Sequence, residues 1–385
     1  MIFSDLKKYS IYPMIIQILS AIVGLGTVFV LPLINKPLAG EYFYLLSIST
    51  LIITLITPLV NIILKSEYGS KDSRKSYTVM LINGLIASSI AFLALPLSEF
   101  IFVFALSTMI FYLSIQRALL IKTSDLNFSY ILSLLKTNLI GVAILSLVFF
   151  ELDYFFYYLP LFLFILYFIM SFFFFKTQNV LKLERLSFSD MLNFELSSIY
   201  LSLTGLCLWI IYHMYRVSLF DFIEIDLITY VQSISIPLFV FSVVDSKGPY
   251  LLSFYSSNGQ RFIYDTILTT IVFVVAWTSS YFFIFSFIIP MNLFTLFLDS
   301  NIFNSFFAIS LLFSLSLNVI RVYYTNNTEF QTFIAFLHYP LFLILIFIIV
   351  PFLTSEFLIY IPLFMLSIFI YHVIKIKSFF WNANE

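Results

Sequence analysis

Apolar residues in this chain come in runs of about twenty, separated by short stretches that hold nearly all of the charged and turn-forming residues. A helix rising roughly 1.5 Å per residue crosses the ~30 Å hydrocarbon core of a bilayer in about 20 residues, so runs of this length are candidate transmembrane helices. Cutting the chain wherever charge or turn residues interrupt a run predicts twelve spans. They lie at about 12–34, 42–64, 77–97, 100–121, 128–150, 154–175, 191–212, 227–246, 265–290, 302–320, 331–351 and 357–374. The first run is longer than a signal-peptide core, lacks a small-residue cleavage site and leads through Asn35-Lys36-Pro37 into a second span, so it reads as a retained helix. The predicted fold class is all-α: a polytopic membrane protein with twelve transmembrane helices in two six-helix lobes around a central cleft.

Charge tests the map independently, because short cytoplasmic loops collect Lys and Arg. With the N-terminus inside, the alternate loops hold Lys7, Lys8, Lys65, Lys71, Arg74, Lys75, Arg117, Lys122, Lys176, Lys182, Arg185, Lys247, Arg261, Arg321, Lys375 and Lys377. Of the 19 basic residues, only Lys36, Arg216 and Lys136 fall elsewhere. A miscount by one span would scramble this alternation, so both termini are expected in the cytoplasm. The opposite loops are short and tend acidic, with Glu41, Glu99, Glu151, Asp153 and Asp299 among them. This topology is that of a multi-pass membrane protein with its basic loops on the cytoplasmic side.

Composition then excludes several classes. Of the 385 residues 62% are hydrophobic and 10% charged, with a mean hydropathy of +1.06, which leaves too little charge to cover a soluble fold and rules out a soluble enzyme. A net charge of −1 with scattered basic residues argues against nucleic acid as a partner. The single cysteine, Cys207, excludes a disulfide framework and a cysteine-based metal site. The 50 Phe and 25 Tyr, with abundant Ile, Leu and Asn, read as the product of an AT-rich genome. There is no GxxxxGK[ST] loop, HExxH or GxSxG motif, so no ATP hydrolysis is assigned and no cofactor is expected. His213, His338 and His372 sit on separate spans and read as helix-end or packing residues.

The basic loop from Lys176 to Asp190 divides the spans into six plus six, giving an N-terminal lobe with its cytoplasmic linker over 1–183 and a C-terminal lobe over 184–385. The starts of the halves align: Gln17 with Ser198, Ala21 with Ser202, Gly24 with Gly205, Val28 with Trp209, then Tyr42 and Ser47-Ile48-Ser49 with Tyr230 and Ser233-Ile234-Ser235. Two halves of equal orientation imply repeats related by an axis along the membrane normal, a transporter architecture.

Specific residues carry a further likeness. Tyr12-Pro13-Met14 through Leu31-Pro32-Leu33-Ile34, then Leu38-Ala39-Gly40-Glu41-Tyr42-Phe43 and Ser47-Ile48-Ser49, resembles the N-terminus of polysaccharide (O-antigen) flippases, Wzx-like members of the multidrug/oligosaccharidyl-lipid/polysaccharide superfamily. Tyr212 to Arg216 and Asp226-Leu227-Ile228-Thr229-Tyr230 before Ser235-Ile236-Pro237 resemble the same family's seventh and eighth helices. The chain departs from that pattern at Phe43, where Gly is usual, and at Tyr215, where an acidic partner commonly precedes the Arg. The resemblance implies translocation of a polyprenyl-pyrophosphate-linked oligosaccharide toward the outer leaflet. It further implies partners among membrane lipids and other polysaccharide assembly proteins. The alternatives from the residues are a membrane-embedded polysaccharide polymerase and a small-molecule exporter of the same superfamily.

Charge inside a span costs roughly 2.5–3.5 kcal/mol on insertion scales, so the exceptions to hydrophobicity are the candidate site. Lys136 lies about 13 Å along its helix from Asn127, in a polar stripe with Ser129, Ser133, Thr137 and Gly141. In the 191–212 segment and just beyond it, Glu195, Ser198, Ser202, Gly205, Trp209, His213 and Arg216 advance by three or four along one face. Gln17, Ser20, Gly24 and Thr27 make a matching uncharged face in the first span. Small residues alone also serve close helix packing, but packing does not require charge. Lys136 and Arg216 are candidates to neutralise pyrophosphate, with Ser202, Gln17 and Trp209 contacting sugar. Arg117 and Arg321, near cytoplasmic ends, either meet an entering pyrophosphate or anchor topology. Glu195 is the candidate for coupling to an H+ or Na+ gradient.

Overall fold

The computed structural model describes residues 11–56, 71–122, 140–174, 227–246, 259–289 and 298–326, with isolated positions at 187, 189, 206, 209, 210, 212, 213, 366, 367, 370, 371 and 374. Among these residues there are helices and turns and no strand. In chain order the helices are α1 (Tyr12–Ile34), α2 (Lys36–Ile56), α3 (Lys71–Ala94), α4 (Leu97–Lys122), α5 (Ile140–Phe149), α6 (Leu159–Phe174), α7 (Leu227–Asp245), α8 (Gly259–Phe283) and α9 (Ser300–Asn326). Five stretches are long and apolar enough to cross a bilayer: Tyr12–Ile34, Lys36–Thr54, Leu97–Arg117, Leu227–Asp245 and Tyr264–Ile288. Each coincides with a span predicted from hydrophobic run length. The 331–351 span lies outside the described residues, and the 191–212 and 357–374 spans are described only at isolated positions.

Helix ends follow local chemistry more than hydrophobicity. Asn35 alone separates α1 from α2, and its side-chain oxygen accepts from the Leu38 amide (3.1 Å), which makes it the N-cap of α2. Helix α2 therefore starts at Lys36, six residues before the expected apolar start. Pro37 sits in its first turn, where a missing N–H costs nothing. Glu99, expected in a loop, occupies the first turn of α4, where a carboxylate opposes the positive end of the helix dipole. Helix α5 ends in a pair of bonds from Glu151 N to Val148 O (3.2 Å) and Leu152 N to Leu147 O (2.9 Å). These form a Schellman turn, and Glu151 takes its left-handed position at φ 57°, a place usually given to Gly. A short 3-10 helix, Asp153–Tyr158, leads from that turn into α6.

The chain divides into two compact units, one formed by Ile15–Val217 and the other by Met1–Met14 with Ser218–Glu385. In the first, α4 is central: Phe102, Val103, Ala105, Leu106, Met109 and Leu113 are buried against its neighbours. Phe102 stacks on Phe156 of the 3-10 helix at 5.0 Å between ring centroids. In the second unit α7 is buried on most of its circumference, and Tyr230 meets Phe306 of α9 edge to face. In the unit Ile15–Val217, α4 packs on α2, α6 and α3, and α2 on α3; in the other, α7, α8 and α9 pack on one another. The aligned residues behave alike, since Tyr42, Ser47 and Ser49 are buried on α2 and Tyr230, Ser233 and Ser235 on α7.

Large apolar side chains cover the outside, among them Ile18 and Ile22 of α1, Phe162 and Leu166 of α6, and Ile271 and Val275 of α8. Apolar surface of this extent on each unit belongs in a bilayer.

Candidate functional site

In the unit Ile15–Val217, two groups of polar contacts join different helices of the candidate faces. At the end of α1 predicted to be external, the Asn35 amide donates to Asp153 Oδ2 (3.0 Å) and the Tyr157 hydroxyl donates to Glu41 Oε1. These tie the α1–α2 corner to the entry of α6. The second group is centred on Ser47 of α2. Its carbonyl oxygen accepts the Trp209 indole N–H (2.7 Å), and its hydroxyl donates to Phe43 O (2.7 Å) while lying 3.1 Å from His213 Nδ1. The direction of the Ser47–His213 hydrogen bond follows the imidazole tautomer. The Trp209 and His213 rings lie nearly parallel, 16° apart with centroids 6.2 Å apart.

Thus the face predicted on the 191–212 segment reaches α2 through Trp209 and His213, within the unit that ends at Val217. Trp209 is 5% exposed and its one donor is satisfied by Ser47.

Two other predicted faces meet. A Cβ placed on Gly141 of α5 would lie 2.5 Å from Thr27 Oγ1 of α1, so the ends of the Lys136 and Gln17 stripes touch without room for a methyl group. Thr27 is buried and spends its hydroxyl on Val23 O (3.2 Å). Gly24 differs: no atom of another residue beyond its chain neighbours and own helix backbone lies within 4 Å of its would-be Cβ. Close packing does not explain Gly24, which stands on the same predicted face as half-buried Gln17 and buried Ser20. Arg117 is half-buried on α4, and Arg321 lies in the last two turns of α9, which runs on to Asn326. Lys136, Glu195, Ser202 and Arg216 lie outside the described residues.

Three polar residues escaped the sequence reading. Gln116, 1% exposed, accepts the Tyr167 hydroxyl proton and stands beside Arg117. Gln232 is fully buried on α7. Asp265 of α8 is 2% exposed and is the one buried ionisable carboxyl among the described residues. The three mutually packed helices α7, α8 and α9 also bury Ser233, Thr269, Ser310 and Ser314. A carboxyl group held from water in a membrane unit needs a partner, a proton or a cation, which makes Asp265 chemically comparable to Glu195. Its signal was available, since Asp265 and Thr269 are one turn apart, but cutting spans at charged residues turned Asp265 into a boundary.

No protein-family model matches the sequence, and no curated protein does. Among solved structures, the chain is similar to a MATE protein crystallised in complex with Br-NRF, with a TM-score of 0.54 and 12% identity over 95% of this chain and 94% of that one. The likeness runs the length of both chains and shows the fold: an all-helical, multi-pass membrane architecture of the MATE type.

Proposed function

We propose that this protein is a flippase that carries a polyprenyl-pyrophosphate-linked oligosaccharide repeat unit from the cytoplasmic to the outer leaflet, for surface polysaccharide (O-antigen or capsule) assembly. The observation that carries the reading is a MATE-type fold over the whole length, joined to half-starts that resemble polysaccharide flippases at Leu38–Phe43 and Tyr212–Arg216. Such a lipid has a tail that stays in hydrocarbon and a charged, hydroxylated head that cannot cross it unaided. Lys136, Arg216, Arg117 and Arg321 would neutralise the pyrophosphate, and Gln17, Ser202 and the open position at Gly24 would pass the sugar. In this reading Trp209, buried with its indole N–H on Ser47 O, fixes its helix to α2. Alternate exposure of the two units to the two sides gives the transport cycle. A gradient of H+ or Na+ would drive it through Glu195 and Asp265.

An exporter of small molecules is the second reading, favoured by the bound Br-NRF in the similar MATE structure. The MATE-type fold also favours transport over a polymerase. Deleting the gene and analysing surface glycan with lipid-linked intermediates separates the three. A flippase deletion loses even single repeat units and accumulates intermediates inside, a polymerase deletion keeps single units, and an exporter deletion changes neither. Normal glycan in the deletion strain would overturn the flippase reading.

A further inference from the structure

A single residue of α2 meets the segment that the sequence assigns to the seventh span. The Ser47 carbonyl oxygen accepts the Trp209 indole N–H (2.7 Å), and the Ser47 hydroxyl lies 3.1 Å from His213 Nδ1. Trp209 and His213 are four residues apart and both helical, so one helix face carries both contacts. The junction is deep: Ser47 has no exposed surface, and Trp209, Ile210 and Tyr212 are buried. Parting α2 from this segment would leave the indole N–H without its acceptor and uncover the Trp209 ring. Faces that open and close between domains are ordinarily more polar than this. The compact unit accordingly runs from Ile15 to Val217, past the basic linker at Lys176 to Asp190, and the other unit takes up the chain again at Ser218. Lys136 and Arg216 therefore fall in one unit.

We propose that Ser47 is a positioning residue that makes the seventh span part of the unit Ile15–Val217, so that Arg216 travels with Lys136 while the unit containing Ser218–Glu385 moves. The moving boundary then lies at Val217 and Ser218 and not at the linker that divides the spans six and six. The roles of the two cations rest on the flippase reading, whereas the attachment rests on the contacts of Ser47. Such a division has a chemical use. A pyrophosphate carries its charge on two adjacent phosphates, and cations on one body keep their spacing through a transport cycle. Cations on two bodies would be drawn apart as those bodies rock, and the preorganisation that favours a doubly charged head would be lost. Ser47 touches no substrate in this role and acts through Trp209 and His213.

The test uses the full-length protein with Cys207→Ser in nanodiscs of phosphatidylethanolamine and phosphatidylglycerol. Spin labels go on Lys36→Cys of α2 together with either Leu206→Cys or Val275→Cys, the latter on α8 of the other unit. At acid and neutral pH, with and without Na+ and a polyprenyl-pyrophosphate saccharide, the first distance should hold within about 2 Å while the second shifts by more. A shift in the first, or none in either, overturns the proposal. Ser47→Ala with Trp209→Phe removes both side-chain links. It should broaden the first distance and raise KM for the saccharide lipid roughly tenfold with kcat within about twofold, and an unchanged distance would take the positioning role from Ser47. Should that pair fail to assemble, Ser47→Cys beside native His213 offers a thiolate and an imidazole to Cd2+. The bridged protein, recognised by a thiolate-to-cadmium absorption that His213→Ala removes, should translocate the lipid in proteoliposomes at roughly half the metal-free rate or better. A lower rate shows that the contact opens in every cycle, and absence of the bridge shows that it is not formed; either overturns the proposal. If the wild-type protein moves no polyprenyl-pyrophosphate saccharide, the flippase reading fails and the two distances still decide the attachment.

Discussion

A methyl group added at Gly141 would sit 2.5 Å from Thr27 Oγ1, whereas one added at Gly24 would touch nothing within 4 Å, though both glycines stand on stripes of small polar residues. Spacing alone reads the two stripes alike, and only the second helix at the crossing tells them apart. Gly141→Ala must push Thr27 off Val23 O or separate α1 from α5, so it should destabilise by about 1–3 kcal/mol. Gly24→Ala should be neutral or stabilising by up to about 1 kcal/mol, because Ala favours helix and meets no obstacle. Thermal unfolding of the two detergent-purified variants checks this, and equal effects would contradict the crossing geometry. Gly24→Phe should then fold normally yet lower glycan export if that open position lies on the substrate path. The same limit applies to Trp209. Its place on a face was legible in the chain, but its partner, the Ser47 carbonyl, lies 162 positions away, and no local pattern announces such a pairing.

At the scale of elements, run length read the spans well because hydrocarbon thickness sets it. Helix ends were misplaced where polar turns continue a helix beyond the apolar run. Lys71 to Ser76 opens α3 six residues before the expected start, and α9 runs six residues past it to Asn326. The corner at Asn35 shows what closes such ends. Its oxygen caps α2 and its amide nitrogen donates to Asp153, so three substitutions separate the two roles. Asn35→Ala should lose the cap and the link, costing about 1 kcal/mol for the cap alone. Asn35→Ser should keep the cap and lose the link. Asn35→Asp should keep the cap while setting a carboxylate against Asp153, and adding Asp153→Asn should restore its stability. Unfolding midpoints in the order wild type, Ser, Ala are expected, and no rescue of Asn35→Asp by Asp153→Asn would show that the link is not formed. At the neighbouring Schellman turn Glu151 holds a left-handed backbone at a cost of roughly 1–2 kcal/mol, so Glu151→Gly should raise the midpoint.

For the molecule as a whole, positions aligned between the half-starts share burial: Tyr42, Ser47 and Ser49 on α2, and Tyr230, Ser233 and Ser235 on α7. The helix layout is similar to that of a MATE protein at 12% identity, as expected where lipid-facing Leu, Ile and Phe exchange freely. Charge is where function stays visible, and cutting spans at charged residues missed Asp265. Its carboxyl is buried on α8 in the unit that contains Ser218–Glu385, while Lys136 belongs to the unit Ile15–Val217. If the two do different work, their variants should fail differently. Asp265→Asn keeps the shape but removes the carboxyl group. It should lower gradient-driven translocation about tenfold, ~1.4 kcal/mol, and leave the slow exchange seen without a gradient intact. Lys136→Ala removes a charge proposed to meet the pyrophosphate, so it should lose both. Proteoliposomes loaded with a fluorescent polyprenyl-pyrophosphate saccharide, with and without an imposed proton or sodium gradient, distinguish the outcomes. Wild-type gradient dependence in Asp265→Asn would remove that residue from the coupling path, and normal translocation by Lys136→Ala would remove the pyrophosphate role from Lys136.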